Sequence, residues 1–278
     1  MIVLAIFFGV VVGFALGLTG GGGGVFAVPL LVYGLSVPPR EAVGISLAAV
    51  GGTALFGVLP RLRDGQVEWR TGLLFAIAGM IGAPIGSWLS QLITEQALLL
   101  LFAVLMCVVG YRMWTKSAAP ASSESQFSTE QSDDPDHSAC QRDRAGDLRL
   151  TSRCARLLVF LGLLTGVLSG LFGVGGGFVI VPALVLFSGM AIHRAVGTSL
   201  FVIVLISFSG VTSHLLSGNQ LSLWTAGQFL VGGLVGIGIG SLVSRKIGGP
   251  TLQKIFAAAV FLVAIFVLVQ STFFPSVS

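Results

Sequence analysis

The chain has 278 residues, of which 54% are apolar and only 9% are charged, and its mean hydropathy is +0.97. A soluble domain carries about 25% charged residues, and a disordered chain has low hydrophobicity, so both classes are excluded. The net charge of +4 does not indicate nucleic acid, because the basic residues adjoin apolar segments and are typical of membrane topology signals. The composition predicts a multi-pass protein of the cell membrane.

Ten apolar segments follow one another along the chain. Their long, continuous runs are typical of membrane helices, since a transmembrane barrel shows short alternating segments instead. The first segment leads into glycines and not into a small-residue cleavage site, so it predicts a retained membrane helix rather than a signal peptide. The segments are 2–18, 25–37, 42–60, 71–92, 96–114, 155–171, 178–190, 195–215, 222–243 and 255–273.

Residues 115–152 differ in composition from the rest of the chain. They hold seven of the eleven acidic residues, are rich in Ser, Asp and Arg, and show no apolar periodicity. This composition predicts a disordered linker between a first membrane repeat, 1–114, and a second, 153–278. The other four acids lie at segment ends, so no carboxylate is placed in mid-span, where carboxylates serve proton relays.

An internal repeat relates the two halves. Shifting the sequence by 153 residues places 18–47 over 171–200 without a gap, and 14 of these 30 positions are identical. Such identity is far above chance, so the repeat indicates a duplication. Duplicated halves are a recurring architecture of secondary transporters.

Each half opens on a hairpin with a glycine-rich tip. A helix over 25–36 would be only about 18 Å long, too short for the ~30 Å hydrocarbon core. If the tip returns the chain to its starting side, Arg40 lies on one face, and the other fourteen of the fifteen Lys and Arg lie on the linker face. The positive-inside rule favours this arrangement. We predict an all-α fold of two inverted repeats, each a Gly-tipped hairpin plus three transmembrane helices, with a cytoplasmic linker and external termini.

The two glycine tips have the chemistry of an anion site. They read Thr19-Gly20-Gly21-Gly22-Gly23-Gly24 and Phe172-Gly173-Val174-Gly175-Gly176-Gly177. A helix restarts after each tip, and its first N–H groups carry the positive end of the helix dipole. Two such ends meeting near the midplane would bind an anion without a formal charge. The alternative is that the glycines only pack in a tight bend.

The predicted substrate contacts are the tip amides and the hydroxyls just inside the following helices. These hydroxyls either donate to an oxyanion or bond back to a helix carbonyl, and both alternatives stay open. Arg40 and its repeat equivalent His193 are predicted to draw anions towards the two entrances, as is Arg194, unless they only snorkel or pair locally. The predicted substrate-binding residues are Thr19, Gly20, Gly22, Gly23, Gly24, Ser46, Gly173, Gly175, Gly176, Gly177, Thr198 and Ser199.

Nucleotide, metal and cofactor sites are not predicted. No lysine follows either tip, as a P-loop requires, and neither tip has the third glycine of a dinucleotide fingerprint. His137, Cys140 and Cys154 match no zinc spacing, and the lone His214 is predicted to be structural. An enzyme would need a base or nucleophile at the midplane, and the segments offer only hydroxyls, so no catalytic residue is assigned.

Two stripes of small residues are predicted to support close helix packing. They are Gly9, Gly13 and Gly17 in the first segment and Gly232, Gly236 and Gly240 in the ninth. Glycines four residues apart let helix backbones approach closely. The packing is either within the chain or between protomers of a homo-oligomer.

The duplicated tip resembles the TauE/SafE sulfite exporter family. Residues 17–47 and 170–200 carry the likeness, each with a glycine-rich turn, a Val-Pro pair and an Ala-Val-Gly-x-Ser-Leu sequence. The resemblance implies an integral membrane transporter that exports sulfite or related sulfur-containing oxyanions and organosulfonates, with the small anion and the lipid bilayer as its partners. The alternatives are a uniporter or channel for another small anion, and a membrane scaffold.

Overall fold

The computed structural model describes residues 2–117, 141–142, 148–149, 152–188, 190, 192–218 and 221–244. Apart from one short strand pair, the described regular structure is helical. The first half contains α1 (Ile2–Thr19), α2 (Gly24–Pro29), a π-helical turn (Leu30–Gly34), α3 (Pro39–Arg63), α4 (Trp69–Leu92) and α5 (Glu95–Ser117). The second half contains α6 (Ser152–Phe172), α7 (Gly177–Ser188), α8 (Ile192–Leu216) and α9 (Leu223–Ser244).

The predicted apolar segments are confirmed as helices wherever the structure describes them. Among the described residues, six helices are long and apolar enough to cross a membrane, and α2 with its π-helical turn forms a shorter apolar piece. The predicted segment 255–273 lies outside the described residues. Within the predicted linker 115–152, α5 continues to Ser117, and strand β1 (Gln141–Arg142) pairs antiparallel with strand β2 (Leu148–Arg149); the rest of it is not described, so the domain division stays a prediction.

Two glycine seams join the halves. Helix α1 runs parallel to α9, and a β-carbon on Gly13 would lie 2.7 Å from the Gly233 Cα. Helix α6 runs parallel to α4 in the same way, with a β-carbon on Gly166 at 2.7 Å from the Gly79 Cα. The predicted stripes therefore pack on each other within the chain, which lets backbones meet where lipid supplies no hydrophobic driving force.

Helices α3 and α8 are repeat equivalents, because their bounds differ by 153 residues at both ends. They pack in opposite directions. As residue numbers rise along α3, the α8 residues that its glycines face fall in number: Gly44 faces His214, Gly51 faces Ser207, and Gly57 faces Leu200. Opposed packing of equivalent helices is what an inverted repeat requires. How the halves are oriented in a membrane stays a prediction.

Two exposed loops test that orientation. Asp64, after α3, and Ser217, after α8, are exposed, and the predicted topology puts them at opposite membrane faces. In a chain whose native cysteines are replaced, we expect Asp64→Cys to react with an impermeant maleimide only after permeabilisation, and Ser217→Cys to react in intact cells. Labelling of both from the same side would contradict the inverted topology.

Candidate functional site at the glycine turns

The first glycine turn links α1 to α2. Gly20 has φ of +74°, which a side chain would rarely permit, and its amide donates to the Leu16 carbonyl oxygen at 2.8 Å. The Thr19 hydroxyl donates to the Ala15 carbonyl oxygen at 2.7 Å and accepts from the Gly22 amide at 2.8 Å. The Thr19 hydroxyl, which was predicted to bind substrate, therefore stabilises the conformation of the turn.

The second glycine turn links α6 to α7 and is more strongly left-handed. Gly173, Gly175 and Gly176 have φ of +70°, +69° and +68°. The Gly173 amide donates to the Ser169 carbonyl oxygen at 2.8 Å, as its repeat equivalent Gly20 does to Leu16. The Gly176 carbonyl oxygen then accepts from the Val179 and Ile180 amides as α7 begins. Three left-handed residues in four explain why glycine recurs here.

The two turns meet backbone to backbone. A β-carbon on Gly177 would collide with Gly21, 2.7 Å from its carbonyl oxygen, and a β-carbon on Gly24 would collide with the Val174 carbonyl. Gly24 is the repeat equivalent of Gly177, and Gly21 is the equivalent of Val174, so the contact is reciprocal. The tips that the sequence predicted to come together are brought together, and in this conformation they touch.

One serine hydrogen-bonds each turn to the opposite half. The buried Ser46 hydroxyl on α3 donates to the Gly173 carbonyl oxygen, and the buried Ser199 hydroxyl on α8 donates to the Gly20 carbonyl oxygen, each at 2.6 Å. Ser199 also lies 2.8 Å from the Val196 carbonyl oxygen, so its one proton serves two acceptors. The bond to Val196 is the helix back-bond that the sequence left open, but neither alternative included the bonds of Ser46 and Ser199 to carbonyls of the opposite half.

The buried turns contain amides without a protein partner. In the part of the chain that the structure describes, no hydrogen bond engages the amides of Gly21, Gly23 and Gly24, or those of Gly175 and Gly177. All five residues are buried. More than 90% of buried amides in proteins are paired, and leaving one unpaired costs about 1–3 kcal/mol. Such a cluster suits an anion, because an anion accepts from several donors at once.

The other predicted residues lie away from the turn contact. The Thr198 hydroxyl on α8 accepts a hydrogen bond at 3.0 Å from the backbone amide of Glu68, which lies in the loop between α3 and α4. Arg40, in the first turn of α3, donates to the carbonyl oxygens of Gln91 and Ile93 at the end of α4, each at 3.3 Å. His193 and Arg194 are exposed at the start of α8. Their roles at the entrances stay predictions.

Two serines near the second turn were missed by the sequence reasoning. Ser169 on α6 and Ser207 on α8 are 0% and 1% exposed, and neither hydroxyl has a hydrogen-bond partner among the described residues. The signal available in the sequence was a departure from the repeat, since the first half has Leu16 and Ala54 at these positions.

Among the described residues, no group of three His, Cys, Asp or Glu could hold a metal ion.

Comparison with known proteins agrees with this architecture. The family model described as sulfite exporter TauE/SafE matches residues 5–267. The chain belongs to the TauE/SafE family. The resemblance carried by the two glycine turns is therefore confirmed, and the chain is a multi-pass membrane transporter of the cell membrane.

Three relatives of this TauE/SafE protein are similar over most of their length. A probable membrane transporter protein of Xylella fastidiosa strain Temecula1 is 37% identical over 268 residues, which cover 95% of this chain and 93% of the relative. YunE, a probable membrane transporter protein of Bacillus subtilis strain 168, is 28% identical over 98% of both chains. MJ0441 of Methanocaldococcus jannaschii, named in the same words, is 25% identical over 88% of this chain and 86% of its own length. No solved structure matches the chain.

Proposed function

We propose that this TauE/SafE transporter exports sulfite or a related sulfur-containing oxyanion or organosulfonate, bound where its two glycine turns meet. The observation that carries the proposal is the cluster of buried turn amides that have no hydrogen-bond partner among the described residues. An oxyanion would accept from several of these donors in an environment of low dielectric, where each hydrogen bond is strong. The description of the matching family as sulfite exporters supports the sulfur-containing substrate.

The distribution of charge supports electrically driven export. In the described apolar helices, carboxylates occur only at the ends, with Glu41 in the first turn of α3 and Glu95 at the start of α5. Proton relays usually depend on carboxylates within the span. An inside-negative potential favours the exit of a monovalent anion by ~2.3 kcal/mol per 100 mV. The membrane potential alone is therefore enough to drive export.

Alternating access would follow from movement at the turn contact. The two turns touch through backbone atoms of Gly21 and Gly177, so the direct path between them is closed in this conformation. Displacement of one hairpin against the opposite half would break the contact on one side and open the amides to that side. The closed contact favours a transporter over an open anion channel.

Flux measurements test the proposal. In proteoliposomes loaded with sulfite, we expect saturable efflux that is faster at an inside-negative potential, with a limiting gradient of about fiftyfold per 100 mV for a monoanion. Sulfoacetate, sulfate and chloride, compared under the same potential, define the substrate class. Efflux that never saturates would favour a channel, and the absence of flux for every oxyanion would contradict the proposal.

A further inference from the structure

The surroundings of the two glycine turns differ, although their backbones are repeat equivalents. At the first turn, a β-carbon on Gly23 would collide with the Val12 carbonyl and lie 2.9 Å from the Leu16 Cβ. At the second turn, a β-carbon on the equivalent Gly176 would lie 2.6 Å from the Thr165 Cγ2 and 3.6 Å from the Ser169 Cβ. The helix before the first turn thus places the apolar Leu16 side chain against it. The helix before the second turn places the hydroxyl-bearing Thr165 and Ser169 there.

Helix α8 covers the second turn from the other side. A β-carbon on Gly175 would lie 3.7 Å from the Ser207 Oγ, next to the Val50 and Ile203 side chains. Ala54 holds the position equivalent to Ser207 in the first half. The two serines therefore flank the second turn alone, Ser169 from α6 and Ser207 from α8.

The hydroxyls of these serines are free to bind a ligand. A helical serine or threonine normally donates to a carbonyl three or four residues earlier, as Thr165 does to Leu161 at 2.6 Å. Ser169 and Ser207 make no such bond and no other within the described residues. A buried hydroxyl without a partner is costly, so two beside a turn with unpaired amides indicate a ligand that accepts from both.

We propose that the transported oxyanion binds asymmetrically at the second turn, held by the amides of Gly175 and Gly177 and by the hydroxyls of Ser169 and Ser207. This inference rests on the proposed function and assigns its binding residues. The first turn then has a structural role, closing the contact from the opposite half. Neutral donors alone hold the anion, so release needs no deprotonation of the protein.

Alanine variants of the two serines are well suited to the test. The first half folds with Ala54 where the second has Ser207, so Ser207→Ala imitates an arrangement that the chain already contains. Removing a buried hydroxyl without a partner leaves no protein group unsatisfied. We therefore expect the thermal unfolding temperatures of Ser169→Ala and Ser207→Ala in detergent to equal or exceed that of the unmodified protein.

Transport kinetics give the decisive measurement. For sulfite flux in proteoliposomes, we expect each single alanine variant to raise KM about tenfold, since each removes one donor to a charged ligand, and the double variant to raise it further. The control is Ser87→Ala on α4. Ser87 is also 1% exposed, and its hydroxyl has no partner within the described ranges, but it lies against Gly170, where α4 packs on α6. Its KM should stay within about twofold of the unmodified value.

The outcomes separate the two proposals. If the unmodified protein carries sulfite and the double variant keeps its KM, the asymmetric site is wrong and the exporter stands. An equal rise in KM for Ser87→Ala would also overturn the asymmetric site, because the effect would then follow from any buried hydroxyl. If the unmodified protein carries no oxyanion, the proposed function itself fails, together with the site that rests on it.

Discussion

Replacement of Gly177 with valine is expected to reduce sulfite flux by up to about a hundredfold. A β-carbon at this position would lie 2.7 Å from the Gly21 carbonyl oxygen and 2.5 Å from the Ile203 Cδ1, and it would collide with the Gly21 Cα. Backbone cannot move aside as a flexible side chain can, and overpacking of this kind costs about 1–3 kcal/mol. A barrier raised by about 2.7 kcal/mol slows a step about a hundredfold.

The control for this variant is Gly238→Ala on α9, since no described atom lies within 4 Å of a β-carbon at that position. Alanine is favoured over glycine in a helix by about 0.5–1 kcal/mol, so this variant should be as stable as the unmodified protein or more so, with unchanged flux. Flux in proteoliposomes and unfolding temperature in detergent are the measurements. Normal flux through the Gly177→Val protein would show that the turn contact does not matter for transport.

The second large effect is expected at the two seams between the halves. A leucine at Gly166 would press against Gly79, whose Cα would lie 2.7 Å from the new β-carbon, and a leucine at Gly13 would press equally on Gly233. Close van der Waals packing is what holds helices together in lipid. We expect each variant to lose about 3 kcal/mol of unfolding free energy, and the two losses to be similar because the seams are repeat equivalents.

Detergent-induced unfolding and size-exclusion chromatography measure this loss. The seam variants should elute as broad or aggregated species, whereas Gly227→Ala, at an open position of α9, should elute as the unmodified protein does. A Gly13→Leu protein with normal stability would contradict a seam within the chain and favour a role for the stripe between protomers.

The sequence was most informative where a pattern repeats locally. Helix positions could be predicted from continuous apolar runs, because backbone groups in lipid must be satisfied within a helix. The glycine turns could be predicted because their left-handed residues exclude other side chains. The stripe of Gly9, Gly13 and Gly17 predicted close packing, yet its partner on α9 is more than two hundred residues away in the chain.

The hydroxyl groups show where local reasoning stops. The Ser46 acceptor lies 127 residues away, on Gly173, and the Ser199 acceptor lies 179 residues away, on Gly20. Both serines looked like ligand donors or ordinary helix back-bonds from their position alone. Ser169 drew no attention, because a serine in an apolar run normally bonds to its own helix.

The amino-acid sequence by itself determined that this is a helical membrane protein of two duplicated halves with a glycine turn in each, since hydropathy, repeat identity and glycine geometry are local properties of the chain. Only the tertiary structure decided that the turns touch, that Ser46 and Ser199 are engaged across the halves, and that the hydroxyls of Ser169 and Ser207, beside the second turn, find no partner in the described part of the chain. The physical reason is that a hydrogen bond depends on which distant groups packing brings within about 3 Å, and no local pattern encodes that distance.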